Sequence, residues 1–404
     1  MFTLRSRHLT LFLGLLVGSM LLLAGCDDDT LTPPPVEDEL FDRYVSLGNS
    51  ITAGFQSNGI SPATQQAAYP VLLAEQMGTA FNAPLLNAPG CPPPITNPLD
   101  SADAGNGDDV VCALRDTPLP AQVNNTAVPG AAVNDLLNVG QGSNSNVLTQ
   151  LFLGGRTQVE TAVAAQPTFV SMWIGNNDVL GAALSGQVSE ANVTSVDDFT
   201  SDYTEALDAL EDAGAEGGVL YGVADPTLIP HFSAGAAYFA LEDEINAAGT
   251  ALSSAWGSFD VDASCSPAQQ GTTTLVPASY GLFSLFATAL AGEDVTLNCA
   301  DDARVLDGGE ITLLKERVAA YNQFIQTEAQ NRDWAFIQTN AVLQDLRDAD
   351  DIPPFPNFQD PEAFFGSAFS LDGVHPSSST HQLIANETVD AINAQYGTSL
   401  QPVE

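Results

Sequence analysis

Tyr44-Val45-Ser46-Leu47-Gly48-Asn49-Ser50-Ile51-Thr52-Ala53-Gly54 is the stretch on which the fold turns. It starts as a short apolar run, the pattern of a strand buried on both faces in a parallel sheet. Gly48 interrupts the run and Ser50 follows at once. The small residues up to Gly54 punctuate a loop and do not continue a strand. A serine at the end of such a strand stands where open α/β sheets carry their chemistry, outside the carboxyl edge. Taken alone, the stretch reads equally well as a strand followed by a serine-capped turn. The rest of the chain separates the two readings.

Further strands and helices alternate behind it. Tyr69 to Met77, with Pro70 in its first turn, reads as a helix. Val123 to Val133 reads as a short strand running into a turn, with Pro129-Gly130 suited to the middle of a type II turn. Asn134 to Leu137 suggests the start of a helix, and a further helix is expected from Asn146 to Ala165. Thr168 to Ile174 is a continuous apolar strand closed by Gly175-Asn176-Asn177-Asp178. Phe199, Tyr203, Leu207 and Leu210 recur at helical spacing within Asp197 to Ala213. Gly218 to Val223 is another strand. Leu314, Val318, Tyr321 and Ile325 mark a helix, Trp334 to Ile337 a last strand, and Ser377 to Tyr396 a closing helix. Alternation of this kind implies a three-layer α/β/α fold around a central parallel sheet of about five strands. Two segments interrupt it, at about residues 87–120 and 227–308.

The amino terminus has a different character. Arg5, Arg7 and His8 precede an apolar run from Leu9 to Leu23, a secretory signal too short for a membrane span. Leu23-Ala24-Gly25-Cys26 resembles the bacterial lipobox, in which the cysteine is lipidated and becomes the first mature residue. Residues 26–40, acidic and Pro-rich, cannot bury a core and read as an extended tether. The expected organisation is a signal peptide over 1–25, the tether, one domain over 41–397 and a short tail over 398–404. The expected location is the bacterial outer membrane, anchored through Cys26, on the periplasmic or the cell-surface face.

Ten basic and fifty acidic residues give a formal charge of −40, and −42 once the signal and its two arginines are removed. Such a chain cannot bind nucleic acid non-specifically, since that requires a cationic surface. Cys91, Cys112, Cys265 and Cys299 remain besides Cys26. An even number in an exported chain argues for disulfides. Three pairings are possible. Each insertion holds two cysteines, so Cys91–Cys112 and Cys265–Cys299 are the expected pairs. No CxxC spacing supports a zinc site, and no metal or cofactor is implied.

The chemistry-bearing residues collect at the strand ends. Ser50 offers a hydroxyl, Gly130 an accessible backbone N–H, and Asn177 a side-chain amide. Near the carboxyl terminus, Asp372-Gly373-Val374-His375 offers a carboxylate and an imidazole three residues apart. In this order the four motifs resemble the SGNH, or GDSL, hydrolase superfamily over about Phe41 to Tyr396, with both insertions outside the match. The resemblance implies a flavodoxin-like sheet and a serine ester hydrolase. Ser50 takes the nucleophile position, His375 that of general base and Asp372 that of its partner. The N–H groups of Ser50 and Gly130 and the amide of Asn177 form the oxyanion hole. Asn49 departs from the family, which commonly has Asp before the nucleophile. His231 and His381 are rival bases, the first expected to line a cleft or the surface and the second to be structural. There is no Gly-x-Ser-x-Gly nucleophile elbow, which disfavours an ordinary α/β-hydrolase.

The expected substrate is an acyl ester. Two alternatives stay open, a carbohydrate acetylesterase and a binding lipoprotein of the same fold without turnover. The run Tyr280 to Phe286 suits either an acyl-binding wall or the core of a helix. The oligomeric state is not legible in the chain. Heavy acidity with a single lysine, Lys315, resembles proteins from halophiles, where salt screens self-repulsion. The melting temperature should therefore rise as salt goes from about 0.1 M to about 1 M and the screening length falls from about 10 Å to about 3 Å. A melting curve indifferent to salt contradicts this reading.

Overall fold

The computed structural model describes residues 38–99, 118–140, 142–301 and 303–404. The signal segment, Cys26, the tether up to residue 37 and Cys112 lie outside the described residues. Four strands, β1 (Tyr44–Gly48), β2 (Phe169–Trp173), β3 (Gly217–Tyr221) and β4 (Ala335–Ile337), form one parallel sheet in that order.

The apolar runs that read as uniform in sequence divide by alternation, because successive side chains leave a strand on opposite faces. Tyr44, Phe169, Trp173, Val219, Tyr221 and Ile337 enter one core, against helices Tyr69–Met77 and Ser378–Tyr396. Val45, Leu47, Val170, Met172 and Leu220 enter the other, against helices Gln158–Ala164, Val196–Asp212 and Gly308–Asn331. The first core is aromatic, and three of its buried tyrosine hydroxyls are paired: Tyr44 with Ser171 at 2.7 Å, Tyr69 with Thr52 at 3.1 Å and Tyr221 with Thr388 at 2.8 Å. Unpaired, each of those hydroxyls would cost free energy on burial.

The segment expected as a strand from Val123 forms no strand of its own. It lies extended along the free edge of β1, with Ser46 N–H donating to Asn124 O and Thr126 N–H to Ser46 O, both at 2.8 Å, and Val128 N–H to Gly48 O at 3.2 Å. The amides of Asn124 and Asn125 also donate to backbone, to Tyr44 O and Thr52 O. Such side-chain bonds compete with a regular ladder, and Pro129 ends the pairing. Counted as a fifth strand, the segment gives the order 2-1-3-4-5 of flavodoxin-like sheets. The chain leaves β1 toward one edge and returns on its other side. That reversal opens a crevice at the carboxyl ends of β1 and β2, the place where such sheets bind ligands.

The helix expected over Asn146 to Ala165 is two, Val147–Leu153 and Gln158–Ala164, parted at Gly154-Gly155. The suggested helix near Asn134 is a single 3-10 turn, Val133–Leu136. Two helices absent from the sequence reading, Asn177–Ser185 and Thr339–Asp348, follow β2 and β4 directly.

The second insertion is a small subdomain. It holds an antiparallel pair (Phe232–Ala234 with Leu275–Pro277) and a parallel pair (Phe259–Val261 with Val295–Leu297), and the Cys265–Cys299 disulfide ties the two strands of the parallel pair together just past their ends. Closing a loop of that length in the unfolded chain contributes roughly 3–4 kcal/mol in the chain-entropy model. Tyr280 to Phe286 passes into a π-helical turn in which Leu282 and Phe286 are buried, so most of this run is core. Ser284 is exposed, and Phe283 faces the cleft described below. At the two ends of the described domain, Phe41 is buried, and the tail is held by Asn386 to Val403 and by Asn393 to Leu400.

Candidate active site

Ser50 opens a four-residue helix, Ser50–Ala53, immediately after β1. Asn49 caps it, its Oδ1 accepting from Ile51 N–H at 3.1 Å, as Asn or Asp does at a helix start. The Asn49 amide also donates to Asn176 Oδ1 at 3.3 Å, tying the first motif to the third. The Asn at this position therefore supplies the cap without a charge beside the serine. Gly48 must lack a side chain, since a Cβ there would meet Thr52 Oγ1 at 2.3 Å and Trp173 O at 2.6 Å.

His375 Nε2 lies 2.9 Å from Ser50 Oγ, and His375 Nδ1 lies 2.8 Å from Asp372 Oδ2. A carboxylate accepts only, so Nδ1 carries the proton and Nε2 is left to accept from the serine hydroxyl. Phe55 packs on the imidazole with ring centroids 4.9 Å apart. Asp372 is buried and takes four further hydrogen bonds: Asn58 N–H on Oδ2, and Val374 N–H, His375 N–H and the Ser370 hydroxyl on Oδ1. Burial by itself would raise this carboxyl. The His375 charge, the His375 ring and backbone hydrogen bonds and the Asn58 N–H outweigh burial and hold it well below the usual carboxylate range.

Sequence reasoning missed the loop that completes this arrangement. Ser57 and Asn58 both have left-handed backbone, at φ 54° and 57°. Ser57 N–H donates to Ser370 Oγ at 2.8 Å, and Leu371 N–H donates to Ser57 Oγ at 3.2 Å. The nucleophile loop and the Asp–His loop, over three hundred residues apart, are thus stitched together. The signal available was weak, a Ser-Asn pair of the kind that tolerates left-handed conformation.

Gly130 occupies the third position of a turn closed by Ala131 N–H to Val128 O at 3.1 Å. Its φ of +86° suits the type II turn expected there. A Cβ would meet only Asn146 Nδ2 at 3.7 Å, so backbone conformation, and not lack of space, calls for glycine. Pro129 O accepts from Asn146 Nδ2 at 2.9 Å. The Gly130 N–H points the opposite way, because the two ends of a trans peptide are antiparallel. Neither it nor the Ser50 N–H bonds to a backbone carbonyl among the described residues. Asn177 donates through one amide hydrogen to Ala131 O at 2.8 Å, which leaves its second hydrogen available. Ser50, Gly130, Asn177 and His375 line one cleft.

The two rival bases are engaged elsewhere. His231 is buried with Nδ1 3.0 Å from Asp372 O, a carbonyl that only accepts, so Nδ1 donates. Nε2 then accepts from Ser279 N–H at 3.4 Å. Burial pushes His231 below its ordinary value. It lines the cleft and braces the Asp372 loop from the second insertion. His381 accepts from Tyr69 N–H at 3.3 Å, which satisfies a donor at the start of helix Tyr69–Met77. Burial pushes it down to about 3.

The family model for GDSL-like lipase/acylhydrolase matches residues 44–388. The chain belongs to this family. As a GDSL-like acylhydrolase it is a serine ester hydrolase, acting on carboxylic esters. None of the curated proteins matches the chain. Among solved structures it is similar to LAE5, an α/β hydrolase enzyme from the metagenome of Lake Arreo, at 13% identity over 89% of this chain and 99% of that one, with a TM-score of 0.40. It is also similar to a catalytic mutant of Axe2, an acetylxylan esterase from Geobacillus stearothermophilus (13%, 89% and 95%, 0.39). A third is a GDSL-like lipase from Parabacteroides merdae (13%, 88% and 98%, 0.37). At these scores the likenesses carry no argument about substrate.

Asp178, next to Asn177, is buried. One oxygen accepts from Val133 N–H at 3.0 Å and the other has no partner. Burial raises its carboxyl to about 7, against the lowering effect of the Val133 hydrogen bond.

Two outcomes follow from this geometry. Asn177→Ala should lower kcat on the order of 10²–10³-fold, the cost of one oxyanion donor. A stopped assay that finds turnover near wild type removes Asn177 from the hole. The folded state also keeps the Asp178 proton between pH about 4, where the unfolded group ionises, and about 7. Its contribution to stability therefore falls as pH rises through that window and stays low above it. Asp178→Asn keeps an acceptor for Val133 and lacks the proton. Relative to this variant, the wild type should lose stability from pH 4 to 7 in urea titrations, and parallel curves for the two proteins refute the buried proton.

Proposed function

We propose that Ser50, His375 and Asp372 hydrolyse carboxylic acyl esters through an acyl-serine intermediate. The observation that carries this reading is the unbroken line from Ser50 Oγ to His375 Nε2 (2.9 Å) and from His375 Nδ1 to Asp372 Oδ2 (2.8 Å). A serine hydroxyl is a weak nucleophile until a base removes its proton. His375 accepts that proton as Oγ attacks the ester carbonyl. Asp372 stabilises the imidazolium and keeps the ring in the productive tautomer. The Ser50 and Gly130 N–H groups and the Asn177 amide hold the negative oxygen of the tetrahedral intermediate. His375 returns the proton to the departing alcohol, leaving the acyl group on Ser50. Water, deprotonated by His375, then attacks the acyl-enzyme and releases the acid. No group outside the protein and water is required.

The reading extends to location. The lipobox-like Leu23 to Cys26 and the acidic segment behind it support export, with lipid anchoring of Cys26 in an outer membrane. One acyl chain binds a bilayer only marginally, so stable anchoring needs more than one.

A fluorophosphonate probe tests the chemistry. Wild type should be labelled on Ser50 and lose ester hydrolysis in step with labelling, while Ser50→Ala takes no label. A folded wild-type protein that resists the probe would refute the acyl-serine mechanism and favour a binding lipoprotein of this fold.

A further inference from the structure

Ser50, Asn177, Leu180, Val374 and His375 border two cavities. An ester bound for attack must place its acyl and alcohol portions on different sides of its carbonyl carbon, so the contrast between the two cavities sorts them. The first is the cleft that contains Gly130. It is wide, about 400 Å³, and mixed in character, with Asn58, Ser279 and His231 among its lining residues. The second is a narrow slot of about 60 Å³ by the same measure. Besides Ser50 it is lined by Trp173, Ile229 and Ile384, by Leu343 and Leu346 of helix Thr339–Asp348, and by the exposed Glu387. Its surface is almost wholly apolar.

We infer that this slot holds the acyl chain and that the wide cleft receives the alcohol. The inference rests on the acyl-serine reading of Ser50. An apolar cavity holds water poorly, so an alkyl chain is the group that gains by entering it. An acetyl group would contact little of this apolar surface, and a sugar ring would find almost no polar partner on it. The acyl site therefore lies against helix Thr339–Asp348. Helix Thr339–Asp348 presents Val342, Leu343 and Leu346 to the slot, so it acts as a specificity element.

The experiment is a p-nitrophenyl ester series from acetate to hexadecanoate, with acetylated xylo-oligosaccharide alongside. kcat/KM should climb by about threefold to fivefold per added methylene until the slot is full, and fall beyond. Leu343→Trp, which fills the slot, should lower the decanoate-to-acetate ratio of kcat/KM at least tenfold. Leu343→Ala should move the peak to longer chains. The ratio is read within one protein, so partial loss of folded material does not move it. In Ser50→Ala protein, free decanoate should raise the melting temperature and acetate should not. A profile that is flat or falls from acetate, a preference for the acetylated sugar, or a ratio untouched by Leu343→Trp overturns the slot while leaving the serine hydrolase intact. A wild type that turns over no ester and takes no fluorophosphonate removes the underlying reading and the inference with it.

Discussion

The buried carboxylate of Asp372 is the constraint around which this site is assembled. A charge out of water is tolerable only when its lone pairs are filled. Here five donors fill them, from the His375 ring and backbone, Val374, Ser370 and Asn58. Four come from the tight Ser370–His375 loop itself. The fifth comes from the loop that follows the nucleophile, so satisfying the charge also fixes the distance between Ser50 and His375. His231 closes the same loop from behind by holding the Asp372 carbonyl. The second insertion thereby supports the chemistry as well as walling the cleft.

The oxyanion side is assembled in the same way. The amide of Asn177 and the carboxyl of Asp178 both grip the segment after Gly130, through Ala131 O and Val133 N–H. The three elements that would hold a tetrahedral oxygen come from β1, from the edge segment beside it and from β2, the pieces that meet at the sheet's point of reversal. Strand order brings them together, and local hydrogen bonds set their aim. Opposed to this rigidity is the charge of the whole molecule. Arg332 gathers Asp208, Glu211 and Glu328, and Arg317 pairs with Glu190, but ten basic residues cannot balance fifty acids.

Much of this was legible along the chain. The strands begin and end within a residue or two of their apolar runs, because a doubly covered parallel strand must be apolar throughout. Ser50, Gly130, Asn177, Asp372 and His375 were each marked by a local break in such a run, a glycine, an Asx pair or a turn. The strand expected at Val123 became an edge segment because its asparagines bond to backbone, a competition that side-chain type hints at but register decides. The helices at Asn177 and Thr339 were hidden because the motif residues at the start of one, and the polar first turn of the other, mask their short apolar stripes. Ser57 and Asn58 carry only a weak sign of their roles, and the brace that His231 lends to Asp372 carries none, since each acts through a contact with a residue more than a hundred positions away.

The sequence by itself determined the class of fold, the order of its elements and which residues were candidates for ester chemistry. Those depend on periodicity, turn chemistry and residue type, all of which are local. Only the tertiary structure decided that Asn49 caps the nucleophile helix, that His231 and His381 already have partners, and that an apolar slot runs beneath Ser50. Those facts depend on which distant surfaces meet, and the shape of a space between helices belongs to no single stretch of chain.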